Sequence, residues 1–289
     1  MKFISNKKTL LIGSNGYIGS ELVNYLAQLN CNFTTVDYLS RPYNNMLKPD
    51  YTCDYRSLNA NFLNAFDSIV FLAGHSSVPQ SIADPIGCIH NNLLGLIELN
   101  EKYDGLLVYA SSGSVYNSPG YHYSDENSDL TNPLNSYDFS KVSFDNYMSL
   151  EGKNFVGLRF GTVVGSSPNM RWELLLNKMV KDSITNGILN LGNPCAARPV
   201  LFIKDLCRAI KKIIDNDRPV NCYYNLCNVN GSMEYFANTV SSYFSSQINH
   251  LESSPTYNFM MSTKKFKKNY NFEFENSMHV ILKDIKSAL

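Results

Sequence analysis

Three glycines, Gly13, Gly16 and Gly19, lie three residues apart between the apolar run Thr9-Leu-Leu-Ile and a segment with helical rhythm, Ser20-Glu-Leu-Val-Asn-Tyr-Leu-Ala-Gln-Leu. Strand, glycine-rich turn and helix in that order leave few folds open. Gly13 permits the tight turn, Gly16 lets backbone amides approach a pyrophosphate, and Gly19 lets the helix pack close to the sheet. The helix then turns its unpaired N–H groups toward the phosphates. Asn32-Phe-Thr-Thr-Val-Asp37 reads as the second strand, and its closing acid stands 24 positions after Gly13. That is the offset of a carboxylate that binds the diol of an adenosine ribose. A carboxylate repels a 2′-phosphate, so Asp37 favours NAD over NADP; Arg41 nearby is the opposing signal.

The alternation continues. Tyr51-Thr-Cys-Asp54 is expected as a short strand ending in Asp54, which is either an adenine-edge acceptor or a loop cap. Ser68 to Ala73-Gly74 reads as a buried strand whose small closing residues leave room for a dinucleotide. A helix is expected over Pro79–Lys102, a strand over Leu106–Ala110, a helix over Ser136–Leu150 and a strand over Phe155–Phe160. Strands alternating with helices imply an α/β fold with a doubly wound, Rossmann-like parallel sheet. Past Gly165 helices are expected over Arg171–Ile184, Lys204–Asp215 and Ser232–Phe244, with strands at Leu201–Ile203 and Cys222–Leu226. We expect residues 1–165 to bind the dinucleotide and residues 166–289 to form mainly a small C-terminal substrate lobe, with some segments returning to the main sheet.

Lys+Arg and Asp+Glu balance at 25 each, so no global field invites nucleic acid or an anionic membrane. No apolar run is long enough to span a bilayer, and the N-terminus does not read as a signal peptide. Seven scattered cysteines without a Cys-x-x-Cys pair point to reduced thiols in the cytoplasm, with no metal site.

Tyr137 and Lys141 are four residues apart in a predicted helix and share one face. A phenol that trades a proton near neutral pH has to have its high pKa lowered, and an ammonium one turn away can do that by stabilising the phenolate. Ser112, at the end of the preceding strand, could hold a substrate oxygen against the phenol.

Taken in order, Gly13-x-x-Gly16-x-x-Gly19, Asp37, Asp54, Ala73-Gly74, Asn92-x-x-Gly95, Ser111-Ser112-x-x-Val115-Tyr116, Tyr137-x-x-x-Lys141 and Arg198 seven residues before Asp205 resemble the extended short-chain dehydrogenase/reductase family, in its nucleotide-sugar epimerase/dehydratase branch. The resemblance runs from about Thr9 to the C-terminus. It implies NAD as cofactor, held by Gly13, Asn15, Gly16, Tyr17, Ile18, Gly19, Asp37, Asp54, Tyr55, Leu72, Ala73, Gly74 and Asn92 together with Tyr137 and Lys141. It implies Ser112, Tyr137 and Lys141 as the catalytic set: Tyr137 exchanges the proton of a sugar hydroxyl, Ser112 hydrogen-bonds that oxygen, and Lys141 binds the nicotinamide ribose. Ser112, Ser114, Tyr137, Thr162, Arg171 and Arg198 are implied as contacts of a nucleotide-sugar, with Arg198 gripping the diphosphate.

Departures from the family pattern bear on the reaction. Dehydratases of this branch carry Asp-Glu directly after the catalytic Ser/Thr, where this chain has Gly113-Ser114, so 4,6-dehydration is disfavoured. Thr162 replaces a family Asn, and no Arg lies between His250 and Met261. The implied activity is a 4-epimerase acting by transient C4 oxidation. The alternatives are a net oxidoreductase (4-keto-sugar reductase or 4-dehydrogenase) using the same residues, or a non-catalytic NAD-binding protein. Family members often dimerise through the helices here expected at Pro79–Lys102 and Ser136–Leu150. The nucleotide and the sugar stay open.

Overall fold

Along Thr9–Ile12 successive side chains leave opposite faces of the chain, so Leu10 and Ile12 enter one apolar core and Leu11 enters another. This double burial explains a continuous apolar run where a one-sided sheet would show alternation. The computed structural model of the chain describes residues 7–38, 48–116, 122–151, 153–216 and 220–289. Arg41 lies outside the described residues.

In chain order the first part contains β1 (Thr9–Ile12), α1 (Tyr17–Gln28), β2 (Phe33–Asp37), β3 (Tyr51–Thr52), α2 (Ala60–Leu63), β4 (Ser68–Phe71), α3 (Val78–Ala83), α4 (Pro85–Ile89), α5 (Gly95–Lys102) and β5 (Leu106–Ala110). Then come β6 (Tyr123–Ser124), α6 (Ser136–Glu151), β7 (Phe155–Phe160), β8 (Thr162–Val164), α7 (Leu175–Asn186), β9 (Ile188–Leu191) and β10 (Ala197–Phe202). They are followed by α8 (Ile203–Ile214), β11 (Cys222–Leu226), β12 (Val229–Ser232) and α9 (Met233–Phe244). The main sheet has seven strands in the order β11-β7-β5-β4-β1-β2-β3, all parallel. The order reverses direction between β1 and β4, the switch point at which open α/β sheets place their ligands. Helices α1 and α8 cover the face that carries Leu11, Val70 and Val108, while α5 and α6 cover the face of Ile12, Phe71 and Tyr109. Beside it, β8, β10 and β12 form a small second sheet. No helix among the described residues is long and apolar enough to cross a membrane.

The helix expected over Pro79–Lys102 is broken. Asp84 leaves helical geometry, and its carboxylate accepts from the Gly87 N–H at 2.9 Å, restarting the chain as α4 with Pro85 in its first turn. A π turn over His90–Leu94 then joins α4 to α5. The helix expected from Arg171 begins at Leu175, the strand expected at Leu201 extends back to Ala197, and the Tyr51 strand stops at Thr52.

Helix α6 is anchored by charge as well as by apolar packing. Asp145, 1% exposed, accepts from Tyr109 Oη at 2.9 Å, Ser111 Oγ at 2.9 Å and Arg159 Nε at 2.8 Å. The Arg159 guanidinium, also buried, donates to Tyr116 Oη at 2.9 Å. Removing one partner of such a pair leaves the other as an uncompensated buried charge, a loss of about 3–5 kcal/mol. We therefore expect Asp145→Ala to lower the unfolding free energy by about that amount in urea titration. A loss near that of an ordinary surface substitution would contradict this account of the anchor.

Candidate active site

The carboxyl ends of β1, β2 and β4 open into a cavity of about 530 Å³. Gly13 leaves β1 at φ +88°, and a Cβ there would lie 2.5 Å from the Ala73 nitrogen. A Cβ on Gly19 would lie 2.0 Å from the Gly13 carbonyl oxygen, so turn and helix meet backbone to backbone. Helix α1 starts at Gly16 with no side-chain cap and no acid in its first turn, which leaves its opening N–H groups and positive dipole end for an anion. Asp37, closing β2, accepts from the Asn15 N–H at 2.8 Å and so ties the end of β2 to the turn.

Gly13, Asn15, Gly16, Tyr17, Ile18, Gly19, Asp37, Asp54, Tyr55, Leu72, Ala73 and Gly74 all border this one cavity. The Tyr17 hydroxyl points elsewhere, donating to the Gly165 carbonyl at 2.7 Å and so tying α1 to the strand end after β8. Asp54 caps the 3₁₀ turn that follows it and is paired with Arg56, whose guanidinium holds the carboxyl below the ordinary range. Tyr55 donates to the Asn91 carbonyl at 2.5 Å. Asn92 lies behind the wall. Its Oδ1 accepts from the His75 N–H at 2.8 Å, and its Nδ2 donates to the His75 carbonyl at 2.9 Å and to Ser140 Oγ at 3.3 Å. It therefore clamps the exit of β4 onto the helices.

Tyr137, Lys141 and Ser112 come together where β5 meets α6. Lys141 Nζ donates to the Ala110 carbonyl at 2.7 Å and lies 5.7 Å from the Tyr137 ring centre. Ser112 lies beside the Tyr137 phenol and pulls its pKa down. The expectation that Lys141 lowers the Tyr137 pKa is not what the protein shows. Burial raises the phenol, against the smaller downward pulls of the Ser112 hydrogen bond and Arg171. Burial also pushes the Lys141 ammonium down, to about 8.

The other expected residues divide. Ser114 is buried beside Ser112, the two hydroxyls 2.9 Å apart. Arg171 reaches the cavity wall, where it donates to the Ser76 hydroxyl at 3.0 Å and pairs with Glu173 at 2.7 Å. Thr162 opens β8, paired in register with Val200 of β10. Arg198 does not border the cavity. It stands on β10 with its guanidinium 5.3 Å from the Tyr257 ring centre and a hydrogen bond to Thr256, and burial lowers it to about 10. His75, Ser76 and Asn91 at the cavity wall, and Asp138, Asn135 and Tyr257 behind Ser114, belong to no motif in the sequence. Asp138 stood inside the quoted Tyr-x-x-x-Lys stretch, but its burial has no local signature. Among the described residues no cluster of His, Cys, Asp or Glu could hold a metal.

The glycine turn, the uncapped helix start and Asp37 fit a dinucleotide. The sequence profile of the NAD dependent epimerase/dehydratase family matches residues 9–227. A putative UDP-glucose 4-epimerase of Methanocaldococcus jannaschii is 28% identical over 221 residues, covering 69% of this chain and 71% of that protein. A UDP-glucose 4-epimerase of Lactobacillus helveticus is 29% identical over 178 residues, covering 55% and 53%, so the chain spans about half of that relative. Among solved structures, the UDP-glucose 4-epimerase of Thermotoga maritima with UDP-glucose superposes with a TM-score of 0.83 at 17% identity, covering 96% of this chain and 97% of that one.

The depressed Lys141 makes a stability prediction. Below its folded pKa of about 8 the ammonium is charged in both states and burial penalises the folded one. Between there and the ordinary lysine pKa of about 10.4 the unfolded chain binds a proton that the folded one does not, so stability rises with pH. In urea titrations at increasing pH across that window, the wild type should gain stability relative to Lys141→Met. A gap that is constant with pH would contradict the burial of a titrating ammonium.

Proposed function

The chain belongs to the NAD dependent epimerase/dehydratase family, and we propose that within it the protein is a nucleotide-sugar 4-epimerase. The observation that carries this reading is the meeting of Tyr137, Ser112 and Lys141 at the β5–α6 edge, with Gly113-Ser114 where a dehydratase of this branch would carry its Asp-Glu pair. NAD, when bound, supplies the hydride acceptor and donor. The Gly13–Gly19 turn and the start of α1 hold its diphosphate, Asp37 its ribose diol, and Lys141 its second ribose. Tyr137 exchanges the proton of the C4 hydroxyl, and Ser112 holds that oxygen in line with the phenol. Asp54 and Tyr55 flank the adenine end, and Asn92 keeps the β4 exit in place.

Arg171 and Arg198 are assigned to the substrate diphosphate, for which a guanidinium fork offers bidentate contact, with Ser114 and Thr162 on the sugar side. In this reading residues 1–165 carry the cofactor and residues 166–289 mainly the substrate. The names of the two curated relatives make UDP-glucose and UDP-galactose the first pair to test. A cytoplasmic location is part of the proposal, supported by seven cysteines that remain thiols.

A homodimer is proposed as well. Ile82 and Ile86 on α3 and α4, Leu134 before α6 and Phe139 on α6 are large, exposed and apolar on neighbouring helices. A second copy presenting the same face would cover them. Light scattering should give twice 32.6 kDa for the wild type and the single mass for Ile86→Asp/Phe139→Asp. A wild type of single mass would overturn the dimer.

The activity is tested with purified protein and UDP-galactose. The expected result is conversion to UDP-glucose, with Tyr137→Phe losing on the order of a hundredfold in kcat while its NAD content is unchanged. Steady growth of absorbance at 340 nm during turnover would assign a net oxidoreductase instead.

A further inference from the structure

After β8 the chain crosses from one wall of the cofactor cavity to the other. It is pinned at each step. The Gly165 N–H donates to Asn177 Oδ1 at 3.1 Å, Ser167 Oγ donates to the Tyr17 carbonyl at 2.6 Å, and Asn169 Nδ2 donates to the Asn15 carbonyl at 2.6 Å. Two residues further on, Arg171 Nη1 donates to the Ser76 carbonyl at 3.2 Å and to the Ser76 hydroxyl at 3.0 Å. Asn15 belongs to the glycine turn after β1, and Ser76 to the chain leaving β4. Residues 169–171 therefore join the two main-chain walls of the cleft, and Asn177 Nδ2 holds the Arg171 carbonyl from behind at 3.1 Å.

Arg171 is 8% exposed and borders the cavity. Its Nε is paired with Glu173, a largely exposed carboxylate whose attraction water screens, and its Nη2 makes no hydrogen bond among the described residues. The charges around the cavity show what such a group is for. Asp37, Asp54 and Asp84 line it, and the guanidiniums on its described wall are Arg56 and Arg171. Arg56 is committed, its Nε donating to both Asp54 oxygens at 3.0 Å. A dinucleotide diphosphate is doubly negative, and the turn amides and the start of α1 meet it with partial charges alone. Between Asp37 and Asp84 it needs a full positive charge to offset their repulsion. Arg171 is the guanidinium left for that task. Its charge pulls against burial on two phenols, Tyr17 beside the turn and Tyr137 at the β5–α6 edge, so it stands between the two ends of the cleft.

We propose that Arg171, carried by the loop after β8 and braced on Ser76, is the cation that binds the diphosphate of the dinucleotide. The two guanidiniums grouped above on the substrate are thereby divided: Arg198, which stands away from the cavity, stays with the substrate, and Arg171 goes to the cofactor. The cofactor site is then incomplete within residues 1–165, because its one full positive charge for the phosphates comes from the C-terminal half. Asn169 sets where that charge sits, by fastening the loop to the glycine turn two residues earlier. The proposal rests on the family's use of NAD and is independent of the 4-epimerase reading.

Equilibrium binding of NADH, followed by its fluorescence, tests this without any turnover. Arg171→Met should weaken NADH, and ADP-ribose measured by displacement of NADH, on the order of tenfold to a hundredfold, while adenosine, which has no phosphate, changes by less than about twofold. With NAD at saturation, UDP should bind the variant as it binds the wild type. NADH bound at wild-type affinity, or a loss that falls on UDP instead of NADH, overturns the proposal. A crystal structure of the wild type with NAD decides the same point without relying on a variant that folds. An Arg171 nitrogen should lie about 3 Å from a phosphate oxygen of the cofactor, and a guanidinium turned away from both phosphates overturns the assignment. No sugar is converted in either experiment, so a failure of the 4-epimerase reading would leave these results unchanged, and their failure would leave that reading standing.

Discussion

Tyr137, Lys141 and Asp145 recur every four residues on α6 and face the same stretch of β5 and its exit: Lys141 donates to the Ala110 carbonyl, Asp145 accepts from Tyr109 and Ser111, and Tyr137 lies beside Ser112. The lowest of these ties carries the others. Asp145 is an ionised group with almost no access to water, and it is tolerable there because Arg159 and two hydroxyls satisfy it. Those partners come from β5, its exit and β7, so the helix cannot slide or rotate without exposing a bare charge to a low-dielectric core. Its first turn is thereby fixed against the end of β5, and the positions of Tyr137 and Lys141 inherit that rigidity.

The cofactor cleft depends on a different constraint, close backbone approach. β1 and β4 are neighbours in the sheet, and the turn after β1 touches the chain leaving β4 at Ala73 with no room for a Cβ between them. Asn92 holds that exit from behind, and the π turn containing it places Asn91 at the cavity wall. The two halves of the site are thus built differently. One is a cradle of main chain that fits a dinucleotide phosphate, the other a network of side-chain hydrogen bonds between α6 and the end of β5.

Local chemistry was legible in the sequence, and long-range pairing was not. The glycine turn, Asp37 and the Tyr137/Lys141 spacing each depend on residues within one strand–turn–helix unit or one helical turn, so spacing alone revealed them. The break at Asp84 was masked by the apolar rhythm on either side, although Pro85 marked it. Arg198 was recognised as a candidate, but its neighbour Tyr257 comes from a distant loop, and so does the bond from Tyr257 to Asp138, 119 residues apart. The Tyr137 pKa was misjudged for a related reason. Sequence spacing put the ammonium near the ring but could not show that burial outweighs it, or that Lys141 would point to a backbone carbonyl.

The central claim is a hydride and a proton that leave one sugar carbon and its oxygen and return to them within the same protein. It is tested most directly by following UDP-galactose deuterated at C4 through turnover by NMR. The account predicts UDP-glucose that keeps the deuterium at C4, with none in solvent and none in added free NAD. Deuterium washed into water, or accumulating in free NADH, would contradict it.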